Sequence, residues 1–308
     1  MNYTLHQLQV LLKIRETGSV TKASEELYLT QPAVSIQLRK LQDQFDIPIF
    51  EIVGRKISIT EFGHEIADTA ERIVEEIESI NYKSKIYSGE VAGKLKMAIV
   101  STAKYVFPYF VADFIKLHPG VDLVIDVTNK SSVIKSIEEN ETDLAMVSTI
   151  PSKLKLQSVP LMKNQLFLVV GRDYKPFKKP ISNKEFMALP LIYREHGSAT
   201  RLAMEHYLAK RKISTSKKME LTSNEAVKQA VIAGLGVSIM PLIGIQDSLE
   251  SKELQIIPAK GLPLETNWNI IWMKSKNLSQ VSKSFIEHVE QHKNEIIKKH
   301  FHYMWTNT

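Results

Sequence analysis

The sequence predicts an α/β protein in three parts: an α-rich winged helix-turn-helix over residues 1–60, a long linker helix over 61–90, and two α/β lobes over 91–308. Three observations carry this reading. Capped helical repeats fill the first 45 residues. An apolar stripe at alternating spacings of four and three then runs from Ile66 to Tyr87, and beyond Gly93 short apolar runs alternate with helical segments.

Thr4 and Gln7 have capping-box spacing, Leu5, Leu8, Leu11 and Leu12 follow at helical intervals, and Gly18 supplies a stop. Ser19 caps a short second helix through Leu27. Thr30 caps a third, with Pro32 in its first turn, where a missing N–H is harmless. Val34, Leu38, Leu41 and Phe45 share one face of that helix, so Gln31, Ser35, Arg39 and Lys40 are displayed around the remainder. After Pro48, the segment Phe50 to Thr60 reads as two short strands about the basic turn Gly54-Arg55-Lys56, a wing. A short second helix, a tight turn and a third helix have the spacing that projects one helix into a major groove.

From Thr60 a long helix carries Ile66, Ala70, Ile73, Ile77, Ile80 and Tyr87 as a seam on an otherwise Glu-rich surface. Its place between two domains predicts a dimerising partner helix, with packing onto its own domain as the alternative. Ser88 to Gly93 ends it. Strands are then expected at Leu95–Val100, Val121–Val127, Leu144–Val147 and Leu166–Val170, and again at Leu191–Tyr193, Met219–Thr222, Val237–Met240, Leu254–Ile257 and Asn269–Trp272, before a last helix from Leu278 to about Phe301. This gives lobe I at about 91–165 and 269–308 and lobe II at about 166–268, the last strand crossing back to lobe I.

A chain of 308 residues holds two or three compact units, and 44% hydrophobic with 24% charged residues is an ordinary globular balance. No apolar run approaches the roughly 20 residues that span a bilayer, and Met1 to Leu12 lacks the pattern of a cleaved leader, so a cytoplasmic protein with no membrane partner is expected. The absence of cysteine excludes disulfides, cysteine-ligated zinc and thiol redox sensing. A net charge of +6 suits a polyanionic partner, yet residues 1–60 hold seven Lys/Arg against six Asp/Glu. Nucleic-acid binding must therefore be argued from arrangement, not total charge.

At Ala23-Ser24-Glu25-Glu26-Leu27, Thr30-Gln31-Pro32-Ala33-Val34-Ser35 and Ile59-Thr60-Glu61-Phe62-Gly63 the chain closely resembles the LysR-type transcriptional regulators. Thr222 to Val231 and Gly234-Leu235-Gly236-Val237 resemble the branch that includes regulators of carbon-fixation operons. The resemblance implies a periplasmic-binding-protein-like effector domain, double-stranded operator DNA as partner, and a homodimer assembling further into a tetramer, with RNA polymerase as a further partner. It also implies that Gln31, Pro32 and Ser35 approach base edges while Arg39, Lys40, Arg55 and Lys56 reach phosphates or the minor groove. Two departures bear on base preference: Ile36 and Ile52 stand where the family often has Arg.

Open α/β sheets bind ligands at the carboxyl ends of strands, beside helix N-termini. Hydroxyl residues gather at such points: Ser101 and Thr102 after a strand, Ser131 and Ser132 before a helix, Ser148 and Thr149 after another strand, and Ser198, Thr200 and Arg201 at a helix opening in lobe II. Singly such residues only cap helices. Together, and with the resemblance, Ser101, Thr102, Ser131, Ser148, Thr149, Ser198 and Thr200 are expected to line an interlobe cleft in which Arg201 favours a small anionic metabolite.

Other chemistries are disfavoured. His288 and His292, four apart, with His300 and His302 beyond, lack convergent carboxylates or cysteines, so no metal site is expected; the tail Phe301 to Trp305 is expected to pack on a neighbouring surface. There is no Gly-x-Ser-x-Gly elbow or Walker loop, Gly234-Leu235-Gly236 lacks the third glycine of a dinucleotide fingerprint, and no cofactor is called for. A regulator controlled by a small molecule is the reading. A solute-binding protein or an enzyme using the same two-lobed cleft is the alternative.

Overall fold

The computed structural model describes residues 2–54, 56–175, 177, 179–215 and 218–302, the side chains of Lys56 and Lys218 excepted. The chain divides into two compact units, Met1–Glu90 and Val91–Thr308.

The first unit contains α1 (Leu5–Thr17), α2 (Val20–Glu26), α3 (Gln31–Gln42), β1 (Phe50–Val53), β2 (Lys56–Ile59) and α4 (Glu61–Tyr87). Its helix ends are set by the local chemistry expected of them. The Thr4 hydroxyl accepts from the Gln7 N–H while the Gln7 side chain accepts from the Thr4 N–H, and Gly18, at φ 60°, closes α1 in the left-handed conformation. Ser19, Thr30 and Thr60 cap α2, α3 and α4 through their hydroxyls. Val34, Leu38 and Leu41 on α3 are buried against Leu8, Leu11 and Ile14 of α1 and Ala67 and Ala70 of α4. Phe45 joins this core from beyond the end of α3, stacked on Tyr3 and edge-on to Phe62. Strands β1 and β2 pair antiparallel, Phe50 opposite Ile59 and Val53 opposite Lys56.

The second unit contains β3 (Ala92–Val100), α5 (Phe107–Leu117), β4 (Gly120–Thr128), α6 (Lys130–Glu138), β5 (Leu144–Val147), β6 (Leu156–Gly171), α7 (Asn183–Met187), β7 (Leu191–Arg194), α8 (Ala199–Arg211), β8 (Lys218–Leu221), α9 (Asn224–Ile232), β9 (Ser238–Pro241), α10 (Gln246–Glu250), β10 (Leu254–Ile256), β11 (Leu264–Met273) and α11 (Gln280–His300). Strand β3 runs parallel to β4 and β5, and β5 is bordered by antiparallel β11. Beyond it lies β6, which also pairs with β9 and β10. Strands β7 and β8 form a separate parallel pair.

Two strands carry the chain between lobes. The first half of β6 pairs with the end of β11 beside β5, its second half lies beside β9 and β10, and the β6–β11 register shifts between Asn267 and Asn269. The sequence reading placed a strand only at Leu166–Val170. The first half of β6 escapes an apolar-run search because Gln157, Ser158, Asn164 and Gln165 interrupt it. On the lobe I side, Phe107, Phe110 and Phe114 of α5 and Phe285 of α11 are fully buried over β3. On the lobe II side Leu168, Phe186, Met204 and Tyr207 form a second core.

A further correction concerns Ser131 and Ser132. They lie inside the first turn of α6 and not ahead of it, because Asn129 is the cap and its carboxamide accepts from the Ser132 N–H.

Candidate functional site

On α3 the amphipathic pattern separates two tasks. Burial of Val34, Leu38 and Leu41 leaves Gln31, Pro32, Arg39 and Lys40 exposed and Ser35 half-buried. Ile36 is also exposed, at 51%, an apolar contact surface amid donors. Tyr28, left-handed at φ 55° and almost wholly exposed, closes the turn between α2 and α3; nothing in the sequence pattern singled it out. Ile52 and Val53 are exposed on the wing. Arg55, and the side chain of Lys56, lie outside the described residues.

The stripe along α4 divides. Ile66 and Ala70 pack into the core of the winged helix-turn-helix, and Arg15 of α1 binds Asp68 and Glu71 at 2.6 Å each on the neighbouring face. Ile73, Ile77 and Ile80 emerge from that core with 38%, 39% and 58% exposure.

In the second unit the strand ends meet across the lobes. Thr102 and Ser148 are buried, and Ser101 is half-buried after β3. From lobe II, Arg194 ends β7 and is 3% exposed at its side chain, held by Glu195 through two bonds of 2.8 Å. Its Nη2 also donates to the Ser101 hydroxyl at 3.1 Å, while Nη1 is buried without a hydrogen-bond partner. Tyr105 of lobe I lies against Gly244, where a Cβ would stand 3.1 Å from its ring; burial first, and then the Glu225 carboxylate, raise its phenol above the ordinary range. The Ser131 N–H donates to the Gly197 carbonyl at 3.3 Å.

The residues singled out in sequence thus fall into two groups. Ser101, Thr102 and Ser148 follow the ends of β3 and β5, with Thr149 next in the chain, and of these Ser101 meets lobe II through Arg194. Ser131, Ser198 and Arg201 line a cavity of about 440 Å³ between α6 and α8, and Thr200 is buried in the first turn of α8. The Arg201 guanidinium is committed to Glu205 at 2.7 Å, Glu220 at 2.6 Å and the Arg194 carbonyl at 2.9 Å. Arg194, which sequence reasoning missed, is the cation at the seam.

His288 and His292 stack at 4.4 Å on α11, and among the described residues no group of three His, Cys, Asp or Glu is arranged to hold a metal. Of the aromatic tail only Phe301 and His302 are described. Phe301 is buried against Tyr109 and Phe110 of its own lobe. Among the described residues no helix is long and apolar enough to cross a membrane.

A winged helix-turn-helix displaying a polar helix face, followed by a two-lobed α/β sensing domain, defines a ligand-responsive transcription regulator. Residues 5–64 match the bacterial regulatory helix-turn-helix family of lysR type and residues 88–294 match the LysR substrate-binding domain. The chain belongs to the LysR family of transcription regulators, and is neither an enzyme nor a solute-binding protein. It is similar to the transcriptional activator CmpR of Synechocystis, 35% identical over 292 residues that cover 94% of this chain and 96% of CmpR. The Synechocystis CcmR regulatory domain in complex with 2-PG is 30% identical, with TM-score 0.62, over 65% of this chain and 97% of that one. The full-length CbnR–DNA complex has TM-score 0.73 over 94% of this chain and 99% of that one, at 19% identity, and speaks to fold alone.

Proposed function

We propose that this regulator is a cytoplasmic homodimer, assembling further into a tetramer, that reads an interrupted inverted repeat through α3 and is switched by a small anion held at the interlobe seam. In this reading residues 1–60 bind DNA, 61–90 dimerise through Ile73, Ile77 and Ile80 with Ile66 anchoring the helix, and 91–308 sense the effector. Gln31, Pro32 and Ser35 meet bases; Arg39, Lys40, Arg55 and Lys56 meet phosphates. The bound assembly acts with RNA polymerase at the promoter.

One observation carries the effector assignment: Arg194 is buried between the lobes with Nη1 lacking a partner. A buried guanidinium N–H left unmade is costly, and an anionic group beside it recovers that energy through a charge-assisted bond. Ser101, Thr102, Ser148 and Thr149 supply donors from lobe I, and Arg194 itself donates from lobe II. Because such a ligand touches both lobes, it binds best to one lobe arrangement, and effector and operator affinities are coupled reciprocally. The 2-PG held by the CcmR domain makes it the first compound to test.

Calorimetric titration of the full chain with 2-PG, phosphorylated sugars and small organic acids is the experiment. Binding of one of them that disappears in Arg194→Gln, with the thermal transition retained, is the expected result. An anion that binds Arg194→Gln as tightly as the parent would remove the seam as its site.

A further inference from the structure

The 440 Å³ cavity between α6 and α8 contains a cation that the fold leaves uncompensated. Lys130 is the first residue of α6, where the helix dipole disfavours positive charge. It is half-buried, no carboxylate among the described residues pairs with it, and burial alone pushes its ammonium below the ordinary lysine range. Lysines in such places ordinarily acquire a counterion, because a desolvated charge without one is expensive.

The opposite wall contributes further donors. Ser198, the N-cap of α8, is 5% exposed, and its hydroxyl makes no capping bond. The first-turn N–H groups of that thirteen-residue helix are therefore not covered by their own cap. His196 also lines this wall, its Nε2 at 3.1 Å from the Arg201 guanidinium. Glu205 also lines the cavity, but it is paired with Arg201 at 2.7 Å. Arg194 is not part of this lining.

We propose that this cavity is a second anion-binding site, which takes the oxyanion group of a small metabolite between Lys130 and Ser198 and is distinct from the Ser101–Arg194 seam. Its two walls come from different lobes and meet at the Ser131 N–H to Gly197 carbonyl bond, where the approach is close enough that a Cβ on Gly197 would crowd Asn129 and Ser131. An anion bridging Lys130 to the opening of α8 reinforces that junction. Occupancy therefore favours the lobe arrangement that the seam effector also senses.

Inorganic phosphate and acetate serve as probes on the full chain, with lysine acetylation read by peptide mass spectrometry. Protection of Lys130, with exposed Lys135 labelled as before, is expected from phosphate, from acetate, or from both, the pattern separating phosphate from carboxylate chemistry. In Lys130→Gln the phosphate dissociation constant of one site rises by roughly tenfold or more in calorimetry. Arg194→Gln leaves Lys130 protection intact, so failure of the seam and failure of this cavity are distinguished. Lys130 labelling that neither probe slows up to tens of millimolar overturns the proposal, as does protection that vanishes in Arg194→Gln.

Discussion

The guanidinium of Arg194 donates from Nη2 to the hydroxyl of Ser101 at 3.1 Å, tying the end of β7 in one lobe to the end of β3 in the other. The two residues are 93 positions apart, and the same guanidinium carries a buried N–H with no partner. A bond to a charged donor contributes about 1.5–3 kcal/mol. Ser101→Ala removes this tie without touching the charge. The variant is expected to show a thermal midpoint lower by a few degrees without effector, and a larger deficit at a fixed effector concentration, because the same hydroxyl donates to the ligand. An unchanged midpoint in both states shows that the tie does not stabilise closure.

Operator reading divides the α3 surface. Gln31→Ala or Ser35→Ala is expected to reduce operator affinity by about 1–3 kcal/mol while leaving affinity for random DNA nearly constant. Arg39→Ala is expected to weaken both and to lower the slope of log affinity against log salt by about 1. Binding titrations at several salt concentrations distinguish the two classes. Operator preference that survives both base-face substitutions shows that another surface reads sequence.

Local chemistry was the legible part of this fold. The caps at Thr4, Ser19, Thr30 and Thr60 depend on residues three positions away, so their spacing alone locates the helices. Gly63, met in sequence only as a motif residue, has a physical reason: an added Cβ there would overlap the Ile49 carbonyl. Ser101 and Ser198 were visible as hydroxyls at element ends. Arg194 was not, because its meaning comes from burial against a residue in the other lobe. The one available signal is a basic-acidic pair, Arg194-Glu195, directly after the apolar strand Leu191–Tyr193 and before Gly197. The polar first half of β6 was hidden for the same reason, since its pairing partner β11 lies about a hundred residues on.

Assembly tests the divided stripe on α4. Ile73 and Ile77 are exposed beyond the core that Ile66 and Ala70 complete, so charge placed there leaves the winged helix-turn-helix packed. The double substitution Ile73→Asp, Ile77→Asp is expected to dissociate the dimer, since burying two unpaired carboxylates in a seam costs several kcal/mol. Light scattering measures the mass and circular dichroism reports the fold. A dimer that persists with native circular dichroism places the interface elsewhere.

Acid sensitivity should arise where α11 packs on α5. His288 is 8% exposed, its ring lies 5.5 Å from Phe114 and 4.4 Å from His292, and its Nε2 is buried without a hydrogen-bond partner. Burial, then the neighbouring His292 and His118, hold its pKa below the ordinary 6.5, and Asp113 only partly opposes them. The native state therefore binds fewer protons than the unfolded chain as pH falls through that ordinary value, so stability is lost on acidification and is unpenalised above it. Replacing the imidazole by an apolar side chain removes the proton-linked part while keeping the site filled. His288→Leu is expected to melt less steeply with acidity than the parent between about pH 7 and about pH 5, the two curves converging in shape above neutrality. Thermal melts across that interval measure it. Parallel pH dependences for the parent and His288→Leu would assign the acid lability to other groups.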